Sequence, residues 1–149
     1  MKFLVINGPN MNMLGIREPE IYGNTTYSGL CAAIAEKAAF LGSSAEFFQS
    51  NHEGAIVDKI QSAYGAFDGI IINAAAYTHT SVAIPDAIRS VGIPAAEVHI
   101  SDPDKREDFR KVNFLRPACV ITVSGKGIFG YGEAMGKLVE FIEKRKTEK

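Results

Sequence analysis

Short apolar runs alternate along the chain with stretches in which apolar residues recur at helical spacing. Lys2–Asn7 reads as a buried strand around Phe3-Leu4-Val5-Ile6. Thr25 or Thr26 then caps a helix whose Leu30, Ile34, Ala38 and Leu41 share one side, with Gly42 as its stop. Ser44–Gln49 is a second strand, and 53–64 a second helix with Ile56, Val57, Ile60 and Tyr64 on one side. Gly69–Asn73 is apolar throughout, as a strand buried on both faces is. A third helix spans 81–91, with Pro85 near its first turn, where a missing backbone donor is tolerated. Strands over 95–100 and 118–124 flank a charged connection at 102–110. A last helix covers 131–144 with Tyr131, Met135, Leu138, Val139 and Ile142 as its stripe, and 144–149 is a polar tail.

Alternating strands and helices predict an α/β fold in one domain, 1–149, with a parallel sheet covered on both faces. Right-handed crossovers and five strands fit the flavodoxin-like, doubly wound order 2-1-3-4-5. The segment 8–24 resists this scheme. It spans about seventeen residues with two prolines and three glycines. Loops of that length in small domains are often lids or binding loops.

In open α/β sheets, ligands bind beyond the carboxyl ends of the strands, where strand order reverses. Strand one ends in Asn7-Gly8-Pro9-Asn10, and strand three in Asn73 followed by Tyr77-Thr78-His79-Thr80. Strand four ends in Glu97-Val98-His99-Ile100-Ser101. The expected order makes these strands neighbours, so Asn10, Asn73, His79, His99 and Ser101 converge on one crevice. Taken singly, His79 reads equally as a helix cap or a ligand, and His99 equally as a structural or an acid–base group. Two histidines after adjacent strands point to proton transfer near neutral pH. In the long loop, Arg17 and Tyr22 stand five residues apart. A guanidinium beside a phenol favours its anionic form, which makes a base. The plain alternative is a solvated arginine and a packed tyrosine.

Composition narrows the classes. Sixteen basic and seventeen acidic residues give a net charge of −1, unlike the strongly basic footprint of nucleic-acid binders. No apolar run approaches the roughly 20 residues of a membrane span, and no signal-peptide core follows Met1-Lys2. A cytoplasmic address is expected. Cys31 and Cys119 form no disulfide framework and read as core residues. The three histidines, His52, His79 and His99, have no zinc spacing, and neither a phosphate loop nor a dinucleotide-binding turn is present.

Several blocks resemble type II 3-dehydroquinate dehydratases in order and spacing. They are Ile6-Asn7-Gly8-Pro9-Asn10-Met11-Asn12-Met13-Leu14-Gly15, Arg17-Glu18-Pro19 with Tyr22-Gly23, and Phe48-Gln49-Ser50-Asn51-His52-Glu53-Gly54. Ala76-Tyr77-Thr78-His79-Thr80-Ser81, Glu97-Val98-His99-Ile100-Ser101 and Arg106-Glu107-Asp108-Phe109-Arg110 complete the set. The resemblance implies reversible anti elimination of water from 3-dehydroquinate through an enolate, in the shikimate or quinate pathway, without metal, cofactor or Schiff base. It implies Tyr22 as base with Arg17 beside it, Asn10 at the enolate oxygen, and His99 as acid oriented by Glu97. It further implies a carboxylate-binding set of Asn73, Ile100 and Ser101, with His79 and Arg110 at the substrate hydroxyls. Asp86 matches a residue that reaches a neighbouring subunit's site in homododecamers built from trimers.

The chain departs from the family pattern at Pro85, usually Arg, at Ala74, often Pro, and at Asp102, often Asn. Lys111-Val112-Asn113 stands where a His and a Ser often occur. The alternative reading is a non-catalytic flavodoxin-like module that binds a small anion or nucleotide, since fold does not fix function.

Overall fold

Strand β1 (Lys2–Asn7) is hydrogen-bonded to β2 (Ser44–Gln49) on one side and the central strand β3 (Gly69–Asn73) on the other. β4 (Ala95–His99) pairs with β3, and β5 (Ile121–Ser124) closes the far edge. All pairings are parallel and the order is β2-β1-β3-β4-β5, as the alternation predicts. The computed structural model describes residues 1–148.

Side chains alternate across each strand, so the sheet has two cores. On one face, Phe3, Val5, Ile71 and Val98 pack with Leu30 and Ile34 of α2 (Tyr27–Phe40) and Leu138 and Ile142 of α5 (Phe129–Thr147). On the other, Leu4, Ile6, Ile70 and Ile72 meet α3 (Glu53–Ser62) and α4 (Ala83–Val91). Ile70, Ile71 and Ile72 are wholly buried. At about 1.5–3 kcal/mol per buried aliphatic side chain, this run alone fixes β3 at the centre.

Element ends show where local chemistry wins. Thr26 is the α2 N-cap, accepting from Gly29 N at 3.1 Å, and Gly42 at φ 62° ends that helix. α4 starts at Ala83, not at 81, because the Ser81 hydroxyl accepts from Ile84 N at 3.1 Å. The expected helix 53–64 stops at Ser62, and Tyr64 is exposed rather than on the apolar side. β5 begins at Ile121 because a 3₁₀ turn, Arg116–Ala118, takes the residues before it. α5 runs to Thr147, so residues 144–147 of the expected tail are helical, aided by a Lys144–Glu148 pair at 3.8 Å. Lys149, the end of that tail, lies outside the described residues.

The segment 8–24 carries structure of its own. A 3₁₀ turn, Met11–Met13, follows Asn10, and one helical turn, α1 (Pro19–Tyr22), precedes Gly23. The connection after β4 holds two further 3₁₀ turns, Pro103–Lys105 and Asp108–Lys111. Among the described residues, no helix is long and apolar enough to cross a membrane.

Candidate active site

β1, β3 and β4 end side by side, with Asn7 in register with Asn73 and Ile72 with Glu97. Beyond these ends, the segment 8–24 and the connection after β4 wall a pocket. Asn10, Arg17, Tyr22, Asn73, His79, His99, Ile100, Ser101 and Arg110 all line it, so nine of the eleven residues expected at a site meet there. Arg106 lines it too, and among the described residues no acidic one does. Three arginines thus face one cavity in a chain of net charge −1.

Tyr22 sits between two guanidiniums. Arg17 lies over its ring, 4.3 Å from the centroid, and its own Nη2 is 3.2 Å from Glu18 Oε2. The phenol oxygen is instead held by Arg106, whose Nη1 donates at 2.6 Å. Arg106 reaches Tyr22 from 84 positions away in sequence, so local reading gave the hydroxyl's partner to Arg17. The quoted block around Arg106 was the only signal for it.

His99 and Glu97 form the second centre. Both are buried, two residues apart on β4 and therefore on one face. His99 Nε2 lies 2.6 Å from Glu97 Oε1, which leaves Nδ1 as the ring nitrogen free for a ligand. Glu97 also accepts from Asn113 Nδ2 at 2.5 Å and Thr122 Oγ1 at 3.1 Å, with Arg116 Nε at 3.6 Å. Burial opposes ionisation of this carboxyl. The bonds from His99, Asn113 and Thr122 outweigh it and hold the carboxyl below its usual range. Glu97 itself does not line the pocket and acts on it through His99.

The remaining groups are positioned by backbone geometry. Asn10 adopts a left-handed conformation, φ 67°, which Asn tolerates better than most residues. Its N–H donates to Asn51 Oδ1 at 2.9 Å, and Gln49 Nε2 donates to Gly8 O at 3.1 Å. The block from Phe48 to Gly54 thus braces the first loop, a role that its residue types alone do not reveal. Asn73 is buried; its Oδ1 accepts from Ala75 N at 3.1 Å, and its Nδ2 donates to Tyr131 Oη at 3.0 Å. A weaker contact joins Nδ2 to Met11 Sδ at 3.7 Å. His79 Nδ1 donates to Val112 O at 2.6 Å, which leaves Nε2 as an acceptor. Arg110 Nε pairs with Glu107 Oε2 at 2.7 Å.

Asp86 is not brought to this pocket. It is exposed on α4 and pairs with Arg89 at 3.2 Å. Asp102, one of the departures from the family pattern, does not line the pocket either. It caps the turn Pro103–Lys105 by accepting from Asp104 N at 3.1 Å. Both cysteines are partly buried. Burial, with the Glu97 charge second, pushes the Cys119 thiol up to about 12, far from a nucleophile's range. Among the described residues, no three His, Cys, Asp or Glu side chains gather as a metal site would require.

The profile of the class II dehydroquinase family matches residues 1–139. A 3-dehydroquinate dehydratase of Sulfurimonas denitrificans is 53% identical over 147 residues, covering 99% of this chain and 92% of its own. One from Caldicellulosiruptor saccharolyticus is 54% identical over 142 residues, covering 95% and 98%. The crystal structure of the type II dehydroquinase from Butyrivibrio crossotus superposes with a TM-score of 0.91 at 51% identity, covering 93% of this chain and 97% of that one. Sequence, sheet order and matching length agree, and the chain belongs to the class II dehydroquinase family.

Proposed function

We propose that this protein is a type II 3-dehydroquinate dehydratase, a hydro-lyase that interconverts 3-dehydroquinate with 3-dehydroshikimate and water. The observation that carries the reading is a phenol held by a guanidinium and a histidine held by a carboxylate, both lining one cationic pocket. Tyr22, as tyrosinate against Arg106 and Arg17, takes a proton from the carbon beside the ketone. The electron pair moves onto the ketone oxygen, and Asn10 stabilises that enolate, directly or through an ordered water. Collapse of the enolate expels the hydroxyl on the neighbouring carbon. His99, as imidazolium, gives its Nδ1 proton to that leaving group, which departs as water. Glu97 keeps Nε2 protonated throughout.

The substrate carboxylate is received by Asn73, the backbone at Ile100, and Ser101. The Asn73–Met11 contact at 3.7 Å is weak enough to yield to a carboxylate oxygen. His79 Nε2 and Arg110 take the hydroxyls. The segment 8–24 acts as a lid that brings Tyr22 over the substrate and excludes water. Residues 1–149 form one catalytic domain. The exposed Asp86 is available to a neighbouring copy, in keeping with a homododecamer built from trimers. A cytoplasmic enzyme of the shikimate pathway fits this reading.

The test is the rise in ultraviolet absorbance of the enone product on adding 3-dehydroquinate, with and without chelator and borohydride. Turnover untouched by both reagents is expected. Activity lost to chelator, or substrate-dependent inactivation by borohydride, overturns this mechanism.

A further inference from the structure

The carboxylate behind the histidine has a neighbour whose amide is held in one orientation. Asn113 Oδ1 accepts from Leu115 N at 2.9 Å and from Arg116 N at 2.8 Å. An NH₂ group cannot accept, so the amide cannot be flipped, and Nδ2 must be the atom 2.5 Å from Glu97 Oε1. That oxygen already faces His99 Nε2 at 2.6 Å. We infer that Asn113 is the positioning residue of the Glu97–His99 acid pair, because its fixed N–H obliges Glu97 Oε1 to accept from both sides.

The consequence falls on the proton. An oxygen that accepts from Asn113 and from His99 leaves the Nε2 proton on the imidazole. The ring's other proton, on Nδ1, is then the one free to leave. Without the Asn113 donor, Oε1 has a vacant site that can draw the Nε2 proton across, and the imidazolium is lost before it meets the leaving group. The other groups around Glu97 cannot substitute. Thr122 from β5 and Arg116 from the turn Arg116–Ala118 approach Oε2, at 3.1 and 3.6 Å. The Cys119 thiol is protonated and offers no charge. The role rests on His99 being the proton donor, as proposed above.

Asn113→Asp tests it. The introduced carboxyl keeps the acceptor that caps Leu115 and Arg116, so the turn is preserved. When protonated, it donates to Glu97 as the amide did. When ionised, it sets a second negative charge against Oε1. Relative to wild type, kcat is expected to be near parity at about pH 5 and to fall roughly 10–100-fold by about pH 9, with KM within about twofold. Asn113→Ser, a shorter donor, should remain within about tenfold of wild type at all pH values. A kcat ratio for Asn113→Asp that is flat with pH overturns the inference, as does a loss confined to KM. Nitrogen-15 NMR of the His99 ring gives a readout independent of turnover. Wild type is expected as the Nε2–H form, and Asn113→Asp at high pH as a different protonation state. Identical ring spectra overturn the inference even if wild type fails to turn over 3-dehydroquinate, a failure that counts against the proposed function instead.

Discussion

Arg106 donates to the Tyr22 hydroxyl at 2.6 Å, while Arg17 stacks on the ring face 4.3 Å from its centroid. The two arginines therefore do different work. Arg106 stabilises a developed negative charge on oxygen through a direct bond, and Arg17 does so through the ring and the local field. Tyr22→Phe should lower kcat by about 10²–10⁴-fold, the usual worth of a positioned base. Arg106→Ala should cost about 10²–10³-fold, as loss of one preorganised donor does. Arg17→Ala should cost less than Arg106→Ala. Circular dichroism should be unchanged in all three, because Tyr22→Phe keeps the ring that packs against the core and neither arginine belongs to a core cluster. Enone absorbance measures the rates, and an Arg17 effect larger than the Arg106 effect would contradict this division.

Glu97 ties stability to acid. Its folded-state carboxyl is held below the ordinary value by His99, Asn113 and Thr122 despite burial. The unfolded chain binds that proton near pH 4.3, so the ionised folded form is favoured above that value. This stabilisation is present above about pH 4.3 and is lost as pH falls through the lower folded-state value. Glu97→Gln removes the titration. Its unfolding free energy, measured by urea titration, should be lower than wild type near neutrality and should fall less steeply below about pH 4. Equal slopes in the two proteins would place the acid sensitivity elsewhere.

The sheet was legible because burial on both faces writes itself as an unbroken apolar run, as in Ile70-Ile71-Ile72. The pocket's location followed from strand order, since polar groups after β1, β3 and β4 must meet if those strands are neighbours. What stayed hidden depends on contacts without sequence proximity. Arg106 finds Tyr22 across 84 positions, and Asn113 finds Glu97 across 16. No periodicity encodes either pairing. The end of α5 was missed for a different reason. Residues 144–147 are polar all round, and pattern reading equates that with a tail, whereas helix-forming Lys144, Arg145 and Lys146 extend the helix without burying a face.

Tyr131 supports the floor of the site from α5. Its hydroxyl donates to Asn7 Oδ1 at 2.6 Å and accepts from Asn73 Nδ2 at 3.0 Å, all three groups being buried. Tyr131→Phe keeps the ring and removes both bonds. A buried acceptor on Asn7 and a donor on Asn73 are then unpaired, at a cost of about 1–3 kcal/mol. The urea midpoint should drop at constant slope. Asn73 also loses one of its two anchors, keeping only the bond from Ala75 N, so KM for the carboxylate substrate should rise more than kcat falls. An unchanged midpoint would mean that the polar pair finds other partners.

Gly8 sets the distance between the two strand ends that carry Asn10 and Asn73. Its N–H donates to Asn73 O at 2.8 Å, and a Cβ added there would lie 2.4 Å from Ala74 O and 2.6 Å from Ala74 C. These are backbone atoms held by β3, so no rotamer change relieves the clash. Gly8→Ala must push the first loop off β3, breaking the bond to Asn73 and tilting Asn10 away from the pocket. Overpacking of this kind costs roughly 1–3 kcal/mol. Turnover should fall further than the folded fraction does, because the protein that remains folded has a displaced loop. Gly136 is the matched control: it lies within α5 and a Cβ there meets nothing within 4 Å. Gly136→Ala should raise stability by about 0.5–1 kcal/mol through helix propensity and leave turnover unchanged. Thermal melts and enone absorbance on both variants separate the two effects. A Gly8→Ala protein with wild-type rates per folded molecule would show that the loop's seat on β3 does not set the site.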